Sequence, residues 1–255
     1  MTINAREALR PIIRQFPAEI REGQMTQLDR FAFDIGLVQK HSQPGARVCD
    51  IGGGWGAFAL GCAAVGFKAV LMDDFRDRGF QDEAVMGPMR ELYASHGVEV
   101  VSRDVVANQL DFPPRSLDVI TIFDSLEHWH NSPKRLLACI PPALKAGGLF
   151  ILATPNCVNL RKRITVPLGR GKWTAMQDWY EQETFRGHVR EPDVDDLRYI
   201  AADMGLKNYD IIGRNWAGHM AASPLVRRLT PFADHILRLR PSLCSDLYLL
   251  AHVDR

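Results

Sequence analysis

Val48-Cys49-Asp50-Ile51-Gly52-Gly53-Gly54-Trp55-Gly56-Ala57-Phe58 is the stretch whose reading decides the fold. A short apolar run, Val48 to Ile51, ends in a glycine-rich turn, and the small apolar residues from Ala57 to Ala64 continue as a helix. Glycine admits positive φ and lets a ligand approach the main chain, while a helix N-terminus offers N–H groups with no partner inside the helix. A strand, a glycine turn and a helix in that order predict a site for a nucleotide-like ligand.

Working outward, 255 residues of which 46% are apolar suffice for one domain with a full core, residues 1–255. Within it we expect a helical extension over 1–44, a ligand-binding core over 45–156, a lid over 157–195 and a C-terminal part over 196–255. Lys and Arg number 31 against 30 Asp and Glu, a net charge of +1, so no global field recruits nucleic acid. Five cysteines without a C-x-x-C pair fit free thiols in a reducing compartment and argue against a cysteine-built zinc site. The first residues lack a signal-peptide layout and no apolar run approaches a membrane span, so a cytoplasmic protein with no transmembrane segment is expected.

Apolar positions at helical spacing, Leu9, Ile12, Ile13 and Phe16, then Phe31, Phe33, Ile35 and Leu37, predict a helical preamble in two pieces around Pro17, covering a sheet edge or walling a pocket. Beyond the glycine turn the alternation is regular. Strands are predicted at Lys68 to Met72, Val98 to Val101, Leu117 to Phe123 and Gly148 to Ala153, with helices within Phe75 to His96 and over Lys134 to Leu144. Strand and helix alternating in this way predict an α/β fold with a mostly parallel sheet covered on both faces. A helix over Val194 to Met204 and strands at Tyr209 to Ile212 and Leu247 to Val253 bring the sheet to seven strands.

Residues 157–195 break the rhythm, as lids and substrate walls do. Arg161, Lys162, Arg163, Arg170 and Lys172 can meet an acidic or phosphorylated small molecule, or be merely solvated. Trp173, Trp179 and Tyr180 can stack on a flat or sugar-like acceptor, or fill the lid's own core. Further on, Leu225, Val226, Leu229, Phe232, Ile236 and Leu237 alternate with Arg227, Arg228, Arg238 and Arg240 in a helix expected to be interrupted by Pro231. That amphipathic stretch is expected to pack on its own sheet, with peripheral membrane contact or a homodimer as the alternatives.

Gly52-x-Gly54-x-x-Ala57 alone also satisfies the dinucleotide pattern. Asp50, two residues before the first glycine, and the third glycine at Gly56 favour another reading. Asp50-x-Gly52-x-Gly54-x-Gly56, Asp73 closing the second strand, Asp104 after the third and Leu126-Glu127-His128 after the fourth together resemble the class I S-adenosylmethionine-dependent methyltransferases, over most of the chain. The resemblance implies a Rossmann-like sheet and S-adenosylmethionine as cofactor, with S-adenosylhomocysteine as product. It implies that Gly52, Gly53, Gly54 and Gly56 make room for the methionine part and Asp50 positions its amino group. Asp73, or else Asp74, would accept the ribose hydroxyls, one of the pair being a helix cap. Asp104 would accept the adenine amine or serve as a turn acid, with Val105 offering a backbone N–H, and Asp124 would also border the cofactor.

Methyl transfer needs proximity, alignment and often a base, for which His128, His130 and His188 are the candidates and Glu127 a helper. Asp124-x-x-Glu127-His128 is similar to an acid-x-x-Glu-His run of ubiquinone-pathway O-methyltransferases, where it implies a divalent metal; the shorter first acid here leaves no metal expected. Gly187-His188-Val189-Arg190-Glu191 resembles the signature of a subgroup common in sugar and cell-surface glycan pathways. It implies O-methylation of a small molecule, with His188 as base and Arg190, Trp129, Asn156, Trp179 and Tyr180 as substrate contacts; His188 and Arg190 can instead simply tie the lid down. A phenolic or quinone-like acceptor, an oxidoreductase and a non-catalytic scaffold are the competing readings.

Overall fold

The structure, a computed structural model, describes residues 3–171 and 174–254; Lys172 and Trp173 lie outside the described residues. The chain divides into two compact units, Met1–Phe123 with Lys134–Phe150 and His252–Arg255, and Asp124–Pro133 with Ile151–Ala251. One boundary, between Phe150 and Ile151, falls inside the fifth strand, which at Leu144–Pro155 is longer than its apolar centre predicts.

The first unit opens with α1 (Ala5–Ile13), α2 (Ala18–Thr26) and α3 (Leu28–His41). Asn4 caps α1 through its side-chain oxygen, bonded to the N–H groups of Arg6 and Glu7. Pro17 separates two pieces as expected, but a further break at Gln27 makes the preamble three helices. There follow β1 (Arg47–Ile51), α4 (Ala57–Ala64), β2 (Lys68–Asp73), α5 (Glu83–Ser95), β3 (Glu99–Ser102), α6 (Val105–Asn108), β4 (Leu117–Phe123), α7 (Lys134–Ala143) and β5 (Leu144–Pro155). Helices α1 and α3 pack on α4 rather than at a sheet edge. Gly61 permits this: a Cβ there would stand 2.3 Å from Ile35 Cδ1. The preamble therefore buttresses the helix that follows the glycine turn.

The second unit adds α8 (Leu160–Thr165), α9 (Met176–Tyr180), α10 (Val194–Asp203), β6 (Asn208–Arg214), α11 (Trp216–His219), α12 (Pro224–Leu237) and β7 (Asp246–His252). Helix α10 starts with a reciprocal capping box between Asp193 and Asp196. Pro231 lies inside α12 without ending it.

The strands form one mostly parallel seven-stranded sheet in the order β3-β2-β1-β4-β5-β7-β6. Strand β1 pairs in parallel with β2 and β4, matching Asp50 to Leu71 and to Thr121. The reversal of order between β1 and β4 is a topological switch point, where open α/β sheets bind ligands beyond the carboxyl ends of the strands. The glycine turn leaves the sheet there, at the end of β1. Strands β1, β4 and the apolar run of β5 are almost wholly buried, as sheets covered on both faces require.

Candidate active site

In the first unit the glycine turn is held by its own protein. The N–H groups of Gly52 and Gly53 donate to Met72 O (2.7 and 3.4 Å), and that of Gly56 donates to Gly53 O (2.9 Å). Gly54 N–H donates to Asp73 Oδ2 at 2.9 Å. Four N–H groups are thus engaged by the protein, whereas a phosphate cradle must aim such groups at its ligand. Gly54 takes φ of +54°, with open space where a Cβ would stand. Gly53 and Gly56 are needed for packing: a Cβ would meet Asp50 Oδ2 at 2.5 Å and Leu71 Cδ2 at 2.7 Å respectively.

Asp50 lies beneath this turn, 2% exposed, and its Oδ1 accepts the Thr121 hydroxyl at 2.7 Å. Burial pushes its carboxyl up to about 7, against the Thr121 bond, with Asp34 and Asp73 adding repulsion. Asp50, of which an amino-group contact is expected, thus places its carboxyl directly under Gly53. Asp73 is more open. Its Oδ1 accepts Phe75 N–H at 2.9 Å, which secures the left-handed Phe75 (φ 49°), and its Oδ2 accepts Gly54 N–H. Burial raises the Asp73 carboxyl above its ordinary range, with those two bonds pulling the other way.

Asp74 accepts Arg76 N–H (3.0 Å) in a local turn, rather than the helix cap expected of one of the two acids. Asp104 caps α6 through Ala107 N–H (3.0 Å) and pairs with Arg76 at 2.9 Å, so both its oxygens have protein partners; Val105 is buried behind it. An aromatic cluster completes this region: Trp55 packs on Phe80 (4.3 Å between centroids) and Phe75 meets Phe80 edge-on at 5.4 Å. Sequence reasoning missed these rings and Thr121, because their meeting depends on pairing across the sheet and on the turn after β2.

The second unit gathers another set. His188 Nδ1 lies 2.8 Å from Glu191 Oε1, and the other Glu191 oxygen is bonded to Lys162 Nζ. The Glu191 bond holds the His188 imidazole above its usual range despite partial burial. Burial would raise the Glu191 carboxyl, but the bonds from His188 and Lys162 outweigh it and lower it. His128 Nδ1 is 2.6 Å from Arg186 O, His130 Nε2 is 3.0 Å from Phe185 O, and Glu127 O accepts Val189 N–H at 2.7 Å. His128 and His130, with the Glu127 backbone, therefore stitch residues 185–189 in place. Arg190 joins them through its own backbone N–H, which donates to Glu127 O at 3.3 Å.

The Glu127 side chain is fully buried and accepts the Thr154 hydroxyl at 3.3 Å. Glu127, His128 and His188 each bring a potential ligand atom within 4.8 Å of the others, and Asp124, the first acid of the run that resembles a metal-binding one, is not in that group. Asp124 instead sits at φ 45° and donates its N–H to Ala153 O (3.0 Å). Asn156 is corrected as a substrate contact. It is fully buried, its amide donates to Ser242 O (3.0 Å) and Cys244 O (2.8 Å), and its oxygen accepts Val158 N–H.

A cavity of ≈ 770 Å³ is lined by Arg161, Lys162, His188, Arg190 and Glu191 among others. Lys162 is held by Glu191 and Arg190 by Asp196 (3.0 Å), while Arg161 makes no ion pair among the described residues. Trp179 and Tyr180 are exposed, 56 and 73%, so they are not lid core; Trp129 is half-buried. Glu191 and Lys162 gain their importance only here, although the three-residue step from His188 to Glu191 was a legible signal.

Comparison with known proteins places this geometry. The structure resembles that of an S-adenosylmethionine-dependent methyltransferase from Archaeoglobus fulgidus, at 16% identity over 87% of this chain and 94% of that one, TM-score 0.53. It also resembles a Thermotoga maritima methyltransferase described as a possible histamine N-methyltransferase, at 15% identity over 96% and 100%, TM-score 0.60. A third is Haemonchus contortus phosphoethanolamine N-methyltransferase 2 bound to phosphomonomethylethanolamine and S-adenosylhomocysteine, at 14% identity over 88% and 53%, TM-score 0.56. No curated protein matches the sequence. The family model described as "Methyltransferase domain" matches residues 5–211, most of the chain. The chain belongs to that methyltransferase family, the class I S-adenosylmethionine-dependent enzymes.

Proposed function

We propose that the chain methylates an oxygen atom of a small anionic acceptor, a sugar or glycan precursor, with His188 as general base. The observation that carries this reading is the His188–Glu191–Lys162 chain on the wall of a cavity that also presents Arg161. S-adenosylmethionine, when bound, supplies a methyl group on a sulfonium centre. The residues of the glycine turn suit that cofactor: two carboxylates, Asp50 and Asp73, accompany N–H groups already engaged, which favours a cationic ligand with hydroxyls over a pyrophosphate. Asp73 keeps lone pairs for the ribose hydroxyls. Asp74 and Asp104 stand by as the turn acid and the adenine-side acid.

His188 donates from Nδ1 to Glu191, which leaves the lone pair on Nε2. Nε2 takes the proton of the acceptor hydroxyl and leaves its oxygen nucleophilic toward the methyl carbon that S-adenosylmethionine would supply, the S–CH3 bond pair returning to sulfur and S-adenosylhomocysteine leaving. Glu191 holds the tautomer and stabilises the imidazolium that results, and Lys162 keeps Glu191 ionised. Arg161 orients the acceptor's anionic group, and Trp129, Trp179, Tyr180 and Arg190 bear on its remaining surface. His188→Ala, assayed for transfer of labelled methyl into small acidic metabolites, tests the reading. Loss of roughly 10²- to 10⁴-fold in kcat is expected, and an unchanged rate would remove His188 from catalysis.

A further inference from the structure

Helix α12 is turned inside out. Its buried residues are the polar Thr230 and Asp234, while Leu225, Phe232 and Leu239 just beyond its end are 65, 76 and 83% exposed. Leu225, Leu229, Phe232 and Ile236, spaced i, i+4, i+7 and i+11, form one outward apolar stripe. The inversion is fixed by polar anchors. Asn215 Nδ2 donates to Asp234 Oδ1 at 2.8 Å, Arg214 pairs with its Oδ2 at 3.4 Å, and Thr230 lies so close to α11 that a Cβ on Gly218 would meet its Oγ1 at 2.5 Å. The expected packing of the apolar face on the sheet is thereby overturned: helical period says that two faces differ, and these anchors decide which is inside.

The same helix concentrates positive charge. Arg227, Arg228, Arg238 and Arg240 are exposed on the helix or just past its end, Arg228 beside the stripe and Arg227 and Arg238 nearer the anchored face, and Asp234, the one acid between residues 211 and 245, is buried with Arg214 and Asn215. This accumulation stands out on a chain of net charge +1. With 14 residues α12 is about 21 Å long, and no helix of the described residues is long and apolar enough to cross a membrane.

We infer that α12 is a surface anchor that lays its apolar stripe into an anionic lipid bilayer, with the arginines on the headgroups. An outward apolar face on a helix with exposed arginines and no exposed acid is the pattern of interfacial helices. A second copy of the chain is the poorer occupant. In a two-fold interface the same arginines would face one another, and Asp234, the one acid between residues 211 and 245, is buried and cannot neutralise them.

The test is vesicle co-sedimentation of the full chain with phosphatidylcholine vesicles and with vesicles that also contain phosphatidylglycerol. Strong binding to the anionic vesicles, weak binding to the neutral ones and weakening by salt are expected. Phe232→Asp with Ile236→Asp should lower partitioning roughly 100-fold, and Arg228→Glu with Arg238→Glu roughly tenfold or more. All four side chains are exposed, so melting temperature and S-adenosylhomocysteine binding should remain those of the wild type and exclude misfolding. Absence of binding to anionic vesicles, or equal binding by the Phe232/Ile236 variant, overturns the inference. So does a wild-type dimer that this variant splits while vesicles bind neither, since the face would then be a subunit contact.

Discussion

Asp73→Asn removes the charge at the end of β2 while keeping the side chain's shape. Both oxygens of Asp73 accept backbone N–H groups at 2.9 Å, from Gly54 and from Phe75. The asparagine nitrogen must face one of those two donors, so one N–H loses its acceptor, at about 1–3 kcal/mol. The ribose hydroxyls then lose bonds to an ionised acceptor, which are worth roughly twice neutral ones. The unpaired N–H burdens free and bound protein alike, so cofactor binding should weaken through the ribose bonds alone, by about 1–3 kcal/mol, or roughly 5- to 150-fold in Kd. Calorimetric titration with S-adenosylhomocysteine reads this directly. The wild-type affinity should also fall as the pH drops through the raised Asp73 pKa, and the variant should lose that dependence. An affinity within threefold of the wild type, combined with a loss in Asp74→Asn, would refute the reasoning and move the ribose contact to Asp74.

Other outcomes follow from the same contacts. His188 must be neutral to take a proton and Glu191 raises its pKa, so kcat should climb through a pKa above 6.5; Glu191→Gln should move that limb to lower pH and reduce kcat, and an unmoved limb would mean another base. The sign for stability is opposite: the His188–Glu191 contribution is full below pH 6.5 and lost as pH rises through the raised value, which thermal melts of the two proteins would show as a difference that shrinks. Asp50, raised from 3.8 to about 7, makes the apo protein less stable as pH rises across that window, by on the order of 4 kcal/mol; Asp50→Asn should flatten the dependence and melt higher at pH 8, and a lower melting point would contradict it. Gly56→Ala, at φ +69° and with Leu71 and Tyr93 in the way, should cost about 2–4 kcal/mol in denaturant unfolding, and a cost under 1 kcal/mol would show that the turn relaxes. Dialysis against a chelator should leave turnover intact; loss restored by magnesium or zinc would give Glu127, His128 and His188 to a metal instead.

The strands were legible because parallel strands buried on both faces must be continuous apolar runs: Leu117 to Phe123 is β4 to the residue. The glycine turn was legible for its positive φ, but not for where its N–H groups point, since Met72 O and Asp73 approach from a neighbouring strand. Sequence offered Asp73 and Asp74 as alternatives, and of the two Asp73 is the one hydrogen-bonded to the glycine turn, a contact the sequence does not reveal. In the lid, the Gly187-His188-Val189-Arg190-Glu191 run showed that chemistry was near. It did not show that Glu191 would take the histidine while Arg190 turned away to Asp196. Pro231 was expected to break α12 and did not, and the outward face of that helix was hidden because periodicity carries no sense of inside and outside.

The most direct measurement is the fate of a labelled methyl group when the enzyme, S-adenosylmethionine and a metabolite extract are incubated together. The account predicts label in a small acidic product, S-adenosylhomocysteine formed in equal amount, and loss of both with His188→Ala but not with His130→Ala. Label in protein or RNA, or undiminished transfer by His188→Ala, would contradict it.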